Sequence, residues 1–126
     1  MGERMPSATA VPAARSLILV VEDEAESRES LRELLQMEGY DVETASNGKE
    51  ALEKLDALEP CIILLDLFMP VMDGWAVLDQ LRADGRLARL KVFVTTSAAS
   101  NTPTDVPVFV KPLDFEKLLH ALETFC

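Results

Sequence analysis

Two cysteines, one histidine, one tryptophan and one tyrosine are all that the 126 residues hold of those types. Cys61 and Cys126 are too few for a disulfide framework, and a chain of this length buries a single-domain core without such staples. Both are expected to be reduced thiols in a cytoplasmic protein, Cys61 opening a strand and Cys126 standing last. Basic residues are also short: 12 Lys and Arg stand against 22 Asp and Glu, a net charge of −10. Phosphate backbones need clusters of Lys and Arg, which argues against direct nucleic-acid binding. No apolar run approaches the roughly 18–20 residues of a membrane helix. Residues 1–15 carry Pro6 and Pro12 among Ala, Ser and Thr, with no apolar core of signal-peptide length. They are expected to be a disordered lead-in to one domain over residues 16–126. No internal repeat interrupts that domain.

What is present is a set of short apolar runs that each end on a polar residue. Leu17-Ile18-Leu19-Val20-Val21 runs into Glu22-Asp23, and Cys61-Ile62-Ile63-Leu64-Leu65 runs into Asp66. Val92 to Thr95 leads into Thr96, and Val108-Phe109-Val110 leads into Lys111-Pro112. Continuous apolar runs mark strands covered on both faces, whereas Tyr40 to Thr44 alternates and reads as a half-exposed edge. Between them, helical spacing predicts helices over about Ala25–Glu38, with Leu31, Leu34 and Leu35 inward, and after Asn47, with Ala51, Leu52, Leu55 and Leu58 inward. Glu50, three residues past Asn47, suggests a capping box, and Gly39 marks the end of the first helix. Gly74 to Ala83 and a last helix capped by Asp114 complete the set. Alternating strands and helices predict an α/β fold, a parallel sheet with helices on both faces, whose strand ends open into a crevice.

Three carboxylates, Glu22, Asp23 and Asp66, meet at neighbouring strand ends. Such neighbours oppose joint ionisation unless a cation compensates, and oxygen ligands of this kind suit Mg²⁺. Taken alone, Glu22-Asp23-Glu24 also fits a solvated loop opening a helix, where acids favour the dipole. Asp66 is a poor candidate for a helix cap because Asp73 already precedes Gly74.

Val20-Val21-Glu22-Asp23-Glu24, Asp66 with Met69-Pro70 and Asp73-Gly74, Thr96, and Lys111-Pro112 occur in this order, each motif at or just past a strand end. Together they resemble the receiver (response-regulator) domain of two-component signalling, over residues 16–126. The resemblance implies a doubly wound, flavodoxin-like sheet of five parallel strands in the order 2-1-3-4-5. It implies that Asp66 is the phosphoacceptor and that Asp23, Asp66 and the Phe68 backbone carbonyl ligate Mg²⁺, with Glu22 acting through water. Lys111, aimed inward by a cis bond to Pro112, and the Thr96 hydroxyl would contact the phosphoryl group. Counting from Lys91, where the family usually has Pro, selects Thr96 from the run Thr95-Thr96-Ser97. The donor would be a phosphohistidine on a histidine kinase or histidine phosphotransfer protein, and the output an unknown protein partner, with a homodimer left open. Such a protein is not an enzyme beyond its own phosphorylation and dephosphorylation.

Departures from the family pattern are equally legible. The family carries a helix in the fourth crossover, whereas Ser97 to Pro107 holds Pro103, Pro107 and β-branched residues, so this helix is expected to be shortened or replaced by a loop. Val108 stands where the family has an aromatic that reports phosphorylation, and Phe109 should face the other side of the sheet. Phe68 and Ala98 are apolar where polar groups can guide hydrolytic water. These departures leave a second function open, a pseudo-receiver scaffold acting without phosphorylation. A third, a metal-dependent phosphohydrolase, is disfavoured because Asp66-Leu67-Phe68 lacks a second acid two residues on. His120 is expected to be a surface residue, and Trp75 a packing residue or a partial surface anchor.

Overall fold

A computed structural model describes residues 16–98 and 100–126. The expected lead-in over residues 1–15 lies outside the described residues. Five parallel strands, β1 (Leu17–Val21), β2 (Asp41–Ala45), β3 (Ile62–Asp66), β4 (Val92–Thr96) and β5 (Val108–Val110), form one sheet in the order β2-β1-β3-β4-β5. Four α-helices connect or follow them: α1 (Ala25–Met37), α2 (Gly48–Leu55), α3 (Gly74–Ala83) and α4 (Phe115–Phe125). A single 3₁₀ turn, Arg86–Ala88, follows α3.

Period-two alternation divides the apolar strand residues between two cores. Leu19, Val21, Ile63, Leu65, Val92 and Val94 face α2 and α3, meeting Ala51, Leu55, Val77, Leu78 and Leu81. Ile18, Val20, Ile62, Leu64 and Phe93 face α1 and α4, meeting Leu35, Leu118 and Leu122. Each large aliphatic side chain so removed from water contributes about 1.5–3 kcal/mol, which is why β1 and β3 read as unbroken apolar runs. The edge strand β2 keeps Asp41 and Glu43 exposed and alternates as expected. Phe109 packs on Phe93 in the second core while Val108 joins the first, as strand alternation requires.

Three local expectations change in the structure. Leu34 is exposed rather than inward, because Leu31 and Leu35 already complete the stripe of α1 against the sheet. Asn47 caps α2 by accepting from the Glu50 N–H at 2.9 Å, but the Glu50 carboxylate reaches one residue further back. It accepts from the Ser46 N–H at 2.6 Å and hydroxyl at 2.9 Å, and these bonds hold it below the usual carboxylate range. The third change is the largest. Cys61 and Cys126 are joined in a disulfide, with Cα atoms 5.7 Å apart, rather than standing as two reduced thiols. Cys61 sits at the N-terminal end of β3 and α4 descends the sheet to the same end, so the fold brings together two residues 65 apart in sequence.

Among the described residues, the β4–β5 crossover has no helix. Instead the segment folds down onto the sheet. Pro103 is buried, Val106 and Val108 pack on the first core, and Asp105 accepts a two-point contact from the Arg82 guanidinium at 2.7 and 2.8 Å. A planar fork on a carboxylate fixes orientation as well as distance, so α3 holds the segment in place of helix packing.

Candidate functional site

β1 and β3 are adjacent and in register, with Val21 opposite Leu65, so Glu22 and Asp66 leave the sheet side by side. Both carboxylates are withdrawn from water, with Glu22 3% and Asp66 5% exposed. Asp23 is exposed at the rim, and the three acids each place a carboxylate oxygen within 4.8 Å of the others. Lys111, at the end of β5, enters from the opposite side. Its Nζ donates to Glu22 Oε1 at 2.8 Å and to Asp66 Oδ2 at 3.2 Å. Burial opposes the charge on this ammonium, but the bonds to Glu22 and the charge of Asp66 outweigh it and raise the lysine above its ordinary value. The Lys111–Pro112 peptide is cis.

Backbone groups complete the site. Asp66 Oδ1 accepts from the Phe68 N–H at 3.3 Å, and Glu22 Oε2 accepts from the Glu24 N–H at 3.2 Å. Thr96 is fully buried at the end of β4, where its Oγ1 accepts from the Ala98 N–H at 3.1 Å. Its carbonyl accepts from the Lys111 N–H at 2.7 Å. Thr95 is also buried, and its carbonyl accepts from the Leu67 N–H at 3.2 Å. Ser97 is exposed. Phe68 turns its ring outward at 55% exposure, and Val71, two residues past Met69, is 78% exposed and adopts φ 69°. A β-branched residue rarely takes this conformation, so the loop after Asp66 is held by its neighbours. One such contact is the Gly48 N–H donating to the Met72 carbonyl at 2.9 Å.

Two contributors escaped the sequence. Arg28, five residues past Asp23 on the first turn of α1, donates Nη1 to the carbonyls of Glu22 at 2.9 Å and Asp23 at 3.3 Å. It ties the acidic turn to the helix without neutralising a carboxylate directly. The only sequence signal was one of two Arg, Arg28 and Arg32, in a helix rich in Glu. Gly74 is the other: a Cβ there would lie 2.4 Å from the Asp66 carbonyl oxygen, so the absence of a side chain lets α3 seat against the end of β3. Sequence reading placed it in a turn motif and at the start of a helix, without this contact.

The response regulator receiver domain model matches residues 18–123, nearly the whole described chain. The chain belongs to this family. As a receiver domain, it is 36% identical to the response regulator MprA of Mycolicibacterium vanbaalenii over 107 residues, which cover 81% of this chain and 46% of that protein. The chain therefore spans about half the length of the curated relatives it matches. Among solved structures, the response regulator protein TrrA of Thermotoga maritima, in complex with Mg²⁺ and BeF, is 32% identical with a TM-score of 0.77, covering 88% of this chain and 99% of that one. The chemotaxis protein CheY4 of Vibrio cholerae is 28% identical with a TM-score of 0.79, over 89% and 99% of the two chains. The receiver's strand order and the expected departure at the fourth crossover both stand within this family. No helix among the described residues is long and apolar enough to cross a membrane.

The acid cluster fits a hard divalent cation. Two buried carboxylates and one at the rim offer oxygens at close range, and a single lysine leaves negative charge over.

Proposed function

We propose that this receiver is a phosphoacceptor switch in which Asp66 takes a phosphoryl group from a phosphohistidine on a histidine kinase or histidine phosphotransfer protein. The observation that carries the proposal is the Lys111 ammonium held between Glu22 and Asp66 at 2.8 and 3.2 Å, inside an acid cluster at the strand ends. A lysine so placed can follow charge from the carboxylate to an incoming phosphoryl oxygen without crossing solvent.

An Asp66 carboxylate oxygen attacks phosphorus in line, the P–N bond of the donor breaks, and the imidazole leaves with its electron pair and takes up a proton. The product is an acyl phosphate on Asp66. Lys111 Nζ stabilises the equatorial oxygens, and the Thr96 hydroxyl, released from the Ala98 N–H, donates to one of them. Asp23, Asp66 and the Phe68 carbonyl would hold Mg²⁺ directly and Glu22 through water; the ion, seen in the TrrA relative, supplies positive charge to the same oxygens. Apolar side chains at Phe68 and Ala98 offer nothing to orient water, so hydrolysis is slow. Beyond this self-directed cycle the protein is not an enzyme.

With Val108 in place of an aromatic, the state of Asp66 is reported by the backbone from Thr96 to Ala98. That segment is joined to Lys111 by the Thr96 carbonyl and to Thr96 itself by its hydroxyl. The output is a cytoplasmic protein partner or a second copy of the chain, not nucleic acid. To test the proposal, the folded protein is incubated with acetyl phosphate and Mg²⁺ and weighed intact. A gain of one phosphoryl group, absent in Asp66→Asn and removed by hydroxylamine, supports it. An unchanged mass across several donors points instead to a scaffold that works without phosphorylation.

A further inference from the structure

At the end of the sheet away from the acids, the two cysteines hold the fold in a way that the phosphorylation site does not use. Cys61 is fixed by the sheet: its N–H donates to the Leu17 carbonyl at 2.8 Å, and its Sγ lies 3.2 Å from the same oxygen. Cys126 is not. Its backbone is held by one helical bond, its N–H to the Leu122 carbonyl at 2.8 Å. The turn that carries it is seated in the core by Leu122 and ends on Phe125, an exposed ring set edge-on to Phe93 at 5.7 Å and beneath the Lys91 ammonium at 5.0 Å. Past Leu122, the Cys61–Cys126 bond is therefore the strongest tie on the end of α4. Helix ends not tied down fray, because their final carbonyls lack partners.

Both cysteines are half-buried, so a thiolate or disulfide from solution can reach them. They also sit at the far ends of the two segments that supply the site. Cys61 begins the run that ends in Asp66, and α4 starts four residues past Lys111.

We propose that Cys61 and Cys126 are a reversible dithiol–disulfide pair, a redox modification site that locks the end of α4 to β3 when oxidised and releases it when reduced. The oxidant is a small-molecule or protein disulfide. One of its sulfurs is attacked by the first thiolate, giving a mixed disulfide, and the second cysteine then displaces the remaining thiol. One S–S bond is broken and one formed, and the two protons of the cysteines leave on the two thiols released. Reduction by a dithiol is the reverse. In a reducing compartment, disulfides that do form are transient and sensing rather than structural, which suits a pair at reach of solvent.

The test needs no phosphodonor, so its outcome is separate from whether Asp66 is phosphorylated. The wild-type protein is equilibrated in glutathione buffers from reducing to oxidising, its free thiols are alkylated and counted by mass, and hydrogen exchange is followed in the same samples. We expect the two thiols to disappear in one concerted step and the monomer to persist on non-reducing gels. On reduction, exchange over residues 122–126 should quicken by about tenfold or more beyond any change in residues 18–21 and 62–66, which report global unfolding. Cys126→Ser and Cys61→Ser should each show the reduced pattern in every buffer. Thiols that stay free under oxidising glutathione, disulfide-linked dimers in place of the internal bond, or identical exchange in both states would each overturn the proposal. Because the reduced wild type is itself one arm, failure of a serine variant to fold leaves the test decisive.

Discussion

Replacing Gly74 by Ala probes how the fold aims Asp66. The added Cβ would stand 2.4 Å from the Asp66 carbonyl oxygen, 2.8 Å from Leu67 Cα and 3.1 Å from the Asp66 carbonyl carbon. Non-bonded carbons settle at about 3.5–4.0 Å, so α3 and the end of β3 must part by about 1 Å. None of the close atoms is the flexible end of a side chain. The Gly74 N–H donates to the Leu67 carbonyl at 2.9 Å, and Asp73 caps the same turn through the Ala76 N–H at 2.9 Å, so the displacement pulls on both bonds. Overpacking of this kind costs about 1–3 kcal/mol, and the better helix propensity of Ala recovers less than about 1 kcal/mol of it. A net loss near 2 kcal/mol is expected in urea unfolding. The larger effect falls on chemistry, since a misplacement of about 1 Å lowers a positioned reaction by about 100-fold. The assay is the initial rate of Asp66 phosphorylation from acetyl phosphate, measured with the urea midpoint. Gly85→Ala is the control: it lies in open space with φ 80°, so it should lose stability through backbone strain alone and leave the rate unchanged. A Gly74→Ala protein with wild-type rate and midpoint would show that this contact does not position Asp66.

Mg²⁺ should stabilise the fold over EDTA by about 1.4 kcal/mol for each tenfold of free ion above its Kd, read as a higher melting temperature, and Asp23→Ala should raise the stability of the metal-free protein while weakening that gain. Equal melting in Mg²⁺ and EDTA would count against the site. Lys111→Met strands the buried Glu22 and Asp66 charges; because Lys111 itself is 29% exposed, the cost should be about 2 kcal/mol rather than the about 3–5 of a fully buried pair, and Mg²⁺ should restore part of it. The lysine is raised in the folded state, so this difference holds across neutral pH and is lost only as pH climbs from about 10.4 through the higher folded value; a difference that vanishes by pH 8 would contradict it. Reducing the Cys61–Cys126 bond, whose partners are 65 residues apart, should lower unfolding free energy by about 2–4 kcal/mol in denaturant melts, and no shift would mean the bond is not formed in the oxidised protein.

Much of the fold was legible because burial on both faces of a sheet leaves continuous apolar runs, and because one edge strand alternates. β1, β3, α3 and β5 fall on the residues their patterns marked. That the described residues of the β4–β5 crossover form no helix was equally visible in Pro103 and Pro107, since local chemistry disfavours one there. Asp66, Glu22, Asp23 and Lys111 could be brought together on paper because each closes a strand of a parallel sheet, and parallel strands end on one side.

What stayed hidden depends on distances that pattern does not encode. Nothing in Cys61 or Cys126 announces a partner 65 residues away, and the scarcity of cysteine argued for the opposite state. Gly74 matters through a contact with backbone, which no periodicity reports. Arg28 acts through carbonyl oxygens, so its partners have no side-chain signature. Leu34 keeps helical spacing but faces out, because two neighbours suffice to cover the sheet there.

The central claim is that Asp66, rather than any neighbouring acid, carries the phosphoryl group. Borohydride reduces an acyl phosphate to the alcohol, so treating the phosphorylated protein with it and sequencing the peptides by mass marks the acceptor irreversibly. Homoserine is expected at position 66 alone, formed only when Mg²⁺ and a phosphodonor are both present. Homoserine at position 23, or none at all in protein shown to be folded and exposed to donor, would contradict it.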